Sequence, residues 1–535
     1  MRKRTLSRYV AVGIISLSLL MPVFSSAQKS KPEKIAVKDS RETCYNCHYQ
    51  IKSLKETSKH AALSCQICHG GTSNHLKSFQ NKPVTIIDQT LCGKCHSDQY
   101  QSFIKVNYQA HARKEKGIPS GRSPKQEKLL APHGFTKEHN EPRAHVFMVT
   151  DQFVVDRFAG GRFQYKKGLW GIDQTGKTWD VLYDTGRDLP ETAKAGNATC
   201  IQCKTSDHIL QWKYMGDKDQ KAKWERDSDI IAISKATQNS MGCIHCHDAH
   251  GAVPRVIRDA LIDAIDRDGA KTFAKNGKTD LNIIDFRGFR KIGVMSKTDS
   301  RMMCAQCHVE YACNSGFEFD SGKKVGYDDR RTNLFPLKSA KDLLAYYKKV
   351  NFYDFRHAVT GARLVKLQHP EAETYWGSVH DRAGVQCHQC HMPKVKTKAG
   401  KPFTNHGVIR PIASVKAACI GCHPGTTVEQ KHYQIEAVQN YIRGKMRKSE
   451  YWLSKLIDTY AVAQRAGVPE STLAEARVQH EEAHVLWEWW TAENSDGWHH
   501  PELARDSLTA SIMASKKGID VLTKAMDSRT MEAKK

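Results

Sequence analysis

The chain has 535 residues, which is enough for two or three domains with a sizeable core. Lysine and arginine outnumber the acidic residues by 82 to 57, so the formal net charge is +25. Such an excess suits a nucleic acid or an anionic surface, but no recognisable nucleic-acid-binding module occurs, so nucleic acid is not an expected partner.

The first 27 residues have the pattern of a secretory signal peptide. A basic start (MRKR) and an apolar run (VAVGIISLSLLMPVF) precede the small residues Ser25, Ser26 and Ala27. The apolar run is short for a membrane span, so cleavage near Ala27 is preferred over a retained anchor. Removing the four basic residues of this peptide from +25 leaves a net charge of +21. We expect an exported, periplasmic protein.

The 17 cysteines follow a spacing that disulfides do not explain. In a Cys-x-x-Cys-His motif, the cysteines form thioether bonds to a haem and the histidine binds its iron. A zinc site would need two cysteine pairs and would leave the histidines without a role. The sequence therefore predicts a multihaem cytochrome c. The seven motifs comprise Cys44, Cys47 and His48; Cys65, Cys68 and His69; Cys92, Cys95 and His96; Cys243, Cys246 and His247; Cys304, Cys307 and His308; Cys387, Cys390 and His391; and Cys419, Cys422 and His423.

One further motif departs from this pattern, because Cys200 and Cys203 are followed by Lys204. Its amine, with an ordinary pKa of about 10.4, must lose a proton to bind iron, and metal binding drives that loss. One different proximal ligand among eight indicates that this iron has a different function. A protein that only carries electrons would not need such a ligand. About sixteen haem propionates would offset much of the basic charge.

The motif spacing predicts three units after the signal peptide of residues 1–27: an N-terminal trihaem domain (28–135), a pentahaem catalytic core (136–425) and a C-terminal helical region (426–535). Ile435, Val438, Ile442 and Met446 recur at helical spacing. A stop at 466–469 precedes a second amphipathic run. The predicted fold class is mainly α, with long loops around closely packed haems and a C-terminal bundle of long helices.

The segments CIQCK, CIHCH, CAQCHVEY, KLQHPE, CHQCHMPK and CIGCH resemble those of the pentahaem cytochrome c nitrite reductases that form ammonium. With three further motifs ahead of them, the chain resembles the octahaem nitrite reductases more closely. The resemblance implies eight covalent haems c and a six-electron reduction of nitrite to ammonium at an open, lysine-ligated haem. It also implies a homo-oligomer. Hydroxylamine is a further expected substrate, and the pocket residues do not exclude a side activity on sulfite. Since the sequence has no quinol-oxidising membrane segment, we expect a separate electron-donor protein.

The same resemblance implies three pocket residues besides Lys204. Tyr311 matches the tyrosine of the family's CHVEY segment, and His369 matches the histidine of QHPE. The substrate-binding arginine maps to Arg157, with Arg143 and Arg162 as alternatives. A cation suits nitrite and other small nitrogen oxyanions, and the other two groups can donate protons as N–O bonds break.

A calcium site and a covalent cross-link are also implied. Glu310, Gln368 and the carbonyl groups of Tyr311 and Lys366 match the family's calcium ligands, and oxygen donors suit this ion. Cys313 lies two residues after Tyr311, as in the family members whose tyrosine and cysteine side chains are joined. A free buried cysteine is the ordinary alternative.

The resemblance also implies which histidines bind each iron on the side opposite the motif histidine. For the core, the expected pairs are His145 with the Cys304 haem, His380 with the Cys419 haem, His406 with the Cys243 haem and His499 with the Cys387 haem. For the three N-terminal haems, the expected ligands are His60, His75 and His111, with His250 as the main competitor.

Two other functions compete. Octahaem hydroxylamine oxidoreductases carry their catalytic haem on a Cys-x-x-Cys-His motif, so Lys204 argues against that family. A non-catalytic electron-transfer cytochrome would have two ligands on every iron, so an open high-spin iron would exclude it.

Overall fold

The computed structural model describes residues 41–105, 125–131, 144–148, 163–165, 178–180, 198–213, 222–229, 232–233, 236–268, 281–286, 290–295 and 297–533. The segment predicted to be a signal peptide lies outside these ranges. Helices predominate over strands in the described part, which confirms the mainly α fold class. The α-helices span Arg41–Tyr45, Tyr49–Lys55, Thr72–Lys77, Gln89–Gly93, Ser97–Phe103, Gln126–Leu129, His208–Gln211, Asp259–Asp268, Ser300–Cys304, Ala340–Lys349, Glu371–Tyr375, Val379–Arg382, Cys387–His391, Val415–Ala418, Val428–Arg465, Glu470–Ala492 and Pro501–Glu532.

The strands are short and pair antiparallel. Among the described residues they form five two-stranded sheets and one four-stranded sheet, in which Val253–Val256 lies between His247–Asp248 and Arg290–Met295. The strands are His69–Gly70, Val84–Thr85, Phe163–Tyr165, Thr178–Asp180, His247–Asp248, Val253–Val256, Leu281–Phe286, Arg290–Met295, Gly316–Phe317, Lys324–Val325, Phe355–Arg356, Arg363–Leu364, Lys394–Lys396 and Pro402–Thr404.

Three long helices occupy the C-terminal region, as the helical spacing predicted. A capping box between Thr427 and Gln430 begins the first of them. The first helix ends at Arg465, and Gly467 follows with φ of 73°, a left-handed conformation that glycine adopts without strain. The predicted stop at 466–469 is therefore confirmed. None of the described helices combines the length and apolar character that a membrane span requires.

Two apolar clusters position the site. One joins the helix Ala340–Lys349 to the C-terminal helices and includes Trp489 and Trp490, which are fully buried. The other packs the helix Asp259–Asp268 against residues 302–313, including Tyr311 and Cys313. Tyr311 and Cys313 pack into the second cluster and Ala312 packs into the first, so this segment is fixed between the two clusters.

Candidate haem and substrate site

The Cys-x-x-Cys-His motifs fold into single turns. In three of them the backbone N–H of the histidine donates to the carbonyl of the first cysteine at 2.9 Å: His48 to Cys44, His96 to Cys92 and His308 to Cys304. Residues four apart on such a turn lie on the same side, so the first thiol and the imidazole face the same space.

Each of the seven motif histidines faces a second histidine from outside its own motif. A histidine nitrogen lies about 2 Å from the metal that it binds, so two imidazoles on opposite sides of one iron have ring centres about 6 Å apart. The observed separations of ring centroids run from 6.1 to 6.3 Å. The pairs are His48 with His75, His60 with His96, His69 with His250, His145 with His308, His247 with His406, His380 with His423, and His391 with His499.

These pairs can be compared with the expected ligands. The four core histidines, at 145, 380, 406 and 499, each lie beside the motif with which the sequence paired them. In the N-terminal part, His60 and His75 lie beside motif histidines, whereas His69 faces His250, 6.2 Å away. His111 lies outside the described residues. His250, the competitor named from the sequence, is therefore the described histidine that faces His69.

Neighbouring motifs lie close together in a row. Cysteine side chains of different motifs lie close to one another: Cys92 near Cys243, Cys203 near Cys307, and Cys304 near Cys387. Haems attached at these cysteines would be near neighbours. Cys246 also lies near Cys304, so these contacts connect the third N-terminal motif through the core to the motif that ends in Lys204.

The backbone holds the Lys204 segment against the motif that follows it. The carbonyl of Lys204 accepts from the N–H of Met241 at 3.0 Å, and Ser206 N–H donates to the carbonyl of Ser240 at 3.2 Å. The Asp207 carboxylate accepts from the N–H groups of residues 238 and 239 at 2.6 and 2.8 Å. These bonds fix the turn around the half-buried Lys204.

Tyr311 lies beside the cysteines of this motif. Its side chain is 8% exposed, and its ring is 6.3 Å from that of His369. Burial, and then the nearby thiols of Cys313, Cys203 and Cys200, raise the pKa of Tyr311 well above its ordinary value. The structure therefore brings together Tyr311, His369, Cys313 and the lysine-type motif. Of the arginines named from the sequence, Arg157, Arg143 and Arg162 lie outside the described residues.

The oxygen donors expected to bind calcium form a buried cluster. The carboxylate of Glu310, fully buried, accepts from the N–H of Gln368 at 2.7 Å and from the hydroxyl of Tyr347 at 3.1 Å. The Gln368 amide donates to the carbonyl of Lys366 at 3.3 Å. Burial raises the pKa of Glu310 to about 8. Among the described residues, no three His, Cys, Asp or Glu side chains are arranged to hold a metal; this cluster has one such side chain and otherwise neutral oxygens.

A buried ion pair adjoins the cluster and was not foreseen from the sequence. The ammonium of Lys366 lies 2.8 Å from Glu488, and His484 lies 2.8 Å from the other carboxylate oxygen. All three side chains are buried. Although burial opposes ionisation, the Lys366 ammonium and His484 lower the pKa of Glu488 to about 2. Glu488 and His484 are four residues apart on the second C-terminal helix, which is the only sequence feature that links them.

Two further carboxylates contact paired histidines. Glu371 lies 3.3 Å from His308 Nδ1, and Glu493 lies 2.7 Å from His499 Nδ1. A carboxylate on the second ring nitrogen orients a ligand histidine and raises its basicity. Glu371 is the last residue of the QHPE segment, but no feature of the neighbouring sequence indicates that its side chain contacts His308.

The paired histidines and adjoining cysteine pairs on a mainly α scaffold define a multihaem cytochrome c. Residues 88–535 match the cytochrome c552 family, and the chain belongs to this family.

Individual relatives are distant. Cytochrome c-552 of Haemophilus influenzae (strain Rd) is 27% identical over 434 residues, covering 75% of this chain and 66% of the relative. The chain thus spans just under two thirds of that relative's length. Cytochrome c-552 of Bacteroides fragilis (strain NCTC 9343) is 25% identical over 440 residues, covering 79% of this chain and 75% of the relative. The chain also aligns with the structure of the cytochrome c nitrite reductase of Desulfovibrio desulfuricans, with a TM-score of 0.57 at 24% identity. The catalytic subunit of that protein has two calcium sites. That alignment covers 82% of this chain and 86% of the other, which shows a shared fold.

Proposed function

We propose that this chain reduces nitrite to ammonium at the haem attached through Cys200 and Cys203, with Lys204 as the proximal ligand. The observation that carries the proposal is an asymmetry among the motifs. Seven motif histidines face a second imidazole, whereas the motif of Lys204 adjoins the buried Tyr311 and, through it, His369. An iron with one protein ligand and proton-donating groups beside it suits reduction of a small anion rather than electron transfer alone.

The proposal includes eight covalent haems c. Seven are bound between the paired histidines, with His250 in place of His111 as the ligand opposite His69. Their iron atoms carry electrons, and the adjoining cysteine pairs provide a path of close neighbours toward Lys204. Intact mass after acid denaturation tests the count: eight haems support the attachment at Cys200 and Cys203, and seven argue against it.

The pocket residues bind the anion and move protons. Arg157 holds nitrite by charge and hydrogen bonding, while Tyr311 and His369 donate protons to oxygen atoms that leave as water. The Tyr311 phenol is joined to Cys313 by a thioether bond, which stiffens the ring and lowers the phenol pKa. The burial of both side chains supports a fixed geometry for this pair.

Calcium fits the buried oxygen cluster. Glu310, Gln368 and the carbonyls of Tyr311 and Lys366 would hold the ion, which prefers such donors. A carboxyl whose pKa is raised to about 8 by burial would be ionised by a bound cation. Because Glu310 precedes Tyr311 and Gln368 precedes His369, the ion would fix both pocket residues.

The remaining assignments follow from the same function. The protein is exported to the periplasm after cleavage near Ala27 and receives electrons from a separate donor protein. It forms a homo-oligomer, with hydroxylamine and sulfite as further substrates. The trihaem domain of residues 28–135 feeds the core of residues 136–425, and residues 426–535 support it.

The open iron gives the proposal a spectroscopic test. The oxidised protein should show one high-spin ferric haem among low-spin haems, and nitrite should perturb that species alone. A spectrum that is entirely low-spin, and unchanged by nitrite, would indicate an electron-transfer cytochrome instead.

The assignment of His250 predicts a second high-spin haem in one variant. His250→Ala removes the ring that faces His69, so the haem attached at Cys65 and Cys68 should lose its sixth ligand. EPR of the oxidised variant should show about twice the high-spin intensity of the parent protein. His432→Ala, on the first C-terminal helix, is the control and should leave the spectrum unchanged. If the spectrum of His250→Ala is the same as that of the parent protein, His111 would be the ligand opposite His69 instead.

The cross-link predicts an unreactive thiol. After denaturation and reduction, Cys313 should resist alkylation. The tryptic peptide of residues 302–323, which also carries the haem of Cys304 and Cys307, should be two hydrogens lighter than the same peptide without the cross-link. Tyr311→Phe is the control, because Cys313 should then react as an ordinary thiol. Full alkylation of Cys313 in active protein would show that it is a buried free cysteine.

A further inference from the structure

Arg258 places a buried positive charge between the lysine-type motif and Tyr311. Its side chain is 3% exposed, and its Nη1 lies 3.8 Å from Cys203 Sγ. Its guanidinium carbon lies 5.6 Å from the centre of the Phe335 ring, which in turn lies 5.8 Å from the Tyr311 ring. Arg258 therefore borders the same buried space as Tyr311 and Cys203.

The charge of Arg258 lacks a hydrogen-bonded anion in the part of the chain that the structure describes. Its Nε is buried and has no hydrogen-bond partner there. The neighbouring carboxylate of Asp259 accepts from the Asn333 amide at 3.1 Å and from the Ala260 N–H at 2.8 Å instead. A buried guanidinium without such a partner is unfavourable, so a bound anion would stabilise this position.

A haem propionate is poorly placed to be that anion. In haem c the thioether bonds lie on one edge of the porphyrin and the propionates on the opposite edge. Arg258 contacts Cys203, and Cys307 of the Cys304 motif lies near both of these residues. Both attached haems would therefore turn the edge that carries thioethers toward Arg258. This favours a small anion in the pocket over a propionate of either of these two haems.

We propose that Arg258 is a second anion-binding residue of the pocket, which holds a nitrogen oxyanion such as nitrite beside Tyr311. This assignment rests on the proposed function and goes beyond it, since it adds a substrate contact that is independent of Arg157. A guanidinium presents parallel N–H donors that match two oxygen atoms of one anion. The Nε–H, which has no partner among the described residues, and a neighbouring Nη–H offer such a pair.

The test compares an anionic with an uncharged ligand in the holoprotein. Arg258→Gln should weaken nitrite binding to the oxidised protein, followed by its Soret band, by about tenfold or more, because a charged hydrogen bond is lost. Binding of uncharged hydroxylamine should change much less. The KM for nitrite should rise more than kcat falls, and Arg258→Lys, which keeps the charge, should lie between the parent and the Gln variant.

Arg226→Gln is the matched control, since Arg226 is also buried but donates to the Thr332 hydroxyl at 2.7 Å and the Asp329 carbonyl at 3.0 Å. It should leave nitrite affinity unchanged. Unchanged nitrite affinity in both Arg258 variants overturns the assignment, as does loss of haem or a shifted haem potential at unchanged nitrite affinity, which would indicate a propionate partner. If the parent protein itself binds no nitrite, the proposed function fails first.

Discussion

Lys204→His should retain its haem but reduce nitrite at least about 10- to 100-fold more slowly than the parent protein, since even changes to the partners of a metal ligand have effects of that size. The replacement converts the motif to an ordinary Cys-x-x-Cys-His, so attachment should proceed. An imidazole differs from an amine as a donor, and its second ring nitrogen is open to hydrogen bonding that an amine lacks. Steady-state reduction with a reduced dye measures the rate, and intact mass verifies haem content.

Lys213→His is the control for the Lys204 variant. Lys213 lies nine residues further along and pairs with Glu225 at 3.1 Å on the partly exposed surface. This variant should keep the activity of the parent. Parent-like activity in Lys204→His at full haem content would show that the lysine is incidental to catalysis.

Lys366→Met should cost about 3–5 kcal/mol of the free energy of unfolding, because it leaves the buried carboxylate of Glu488 without its cation. Lys366 and Glu488 are both fully buried and 2.8 Å apart. The backbone carbonyl of residue 366, the proposed calcium ligand, is kept. Denaturant unfolding followed by far-UV circular dichroism measures the change.

Two further variants isolate the effect of the buried pair. Adding Glu488→Gln to Lys366→Met removes the stranded charge and should recover part of the loss. Lys348→Met is the matched control, because Lys348 is 37% exposed and its partner Glu481, which lies on the same helix as Glu488, keeps a second cation in Arg363. That variant should cost less than about 1 kcal/mol. Equal losses for Lys366→Met and Lys348→Met would contradict a special role for burial.

Features that depend on neighbouring residues in the chain could be predicted from the sequence. The haem motifs are complete within five residues, so their positions follow directly from Cys and His spacing. The C-terminal helices follow from local periodicity, and the helix stop at 466–469 follows from its glycine and proline. The mainly α fold class is the sum of these local features.

Contacts between distant segments could not be predicted in this way. His69 faces a ring 181 positions further along, and no local pattern distinguishes His250 from His111. Arg258 is an ordinary basic residue in the sequence and is notable only because folding buries it beside Cys203. Lys366 and Glu488 likewise become partners only when the segment before QHPE packs against the second C-terminal helix. Where the resemblance supplied a pairing, as for His145 and His308, the rings do lie together.

The most direct test of the proposed function is turnover of nitrite by the purified protein with a reduced dye as electron donor. The consumption of dye and the ammonium formed are measured in the same reaction. The account predicts one ammonium for each nitrite consumed and dye oxidation equal to six electrons per nitrite. Dye oxidation without ammonium, or no nitrite consumption by a protein that carries all its haems, would contradict it.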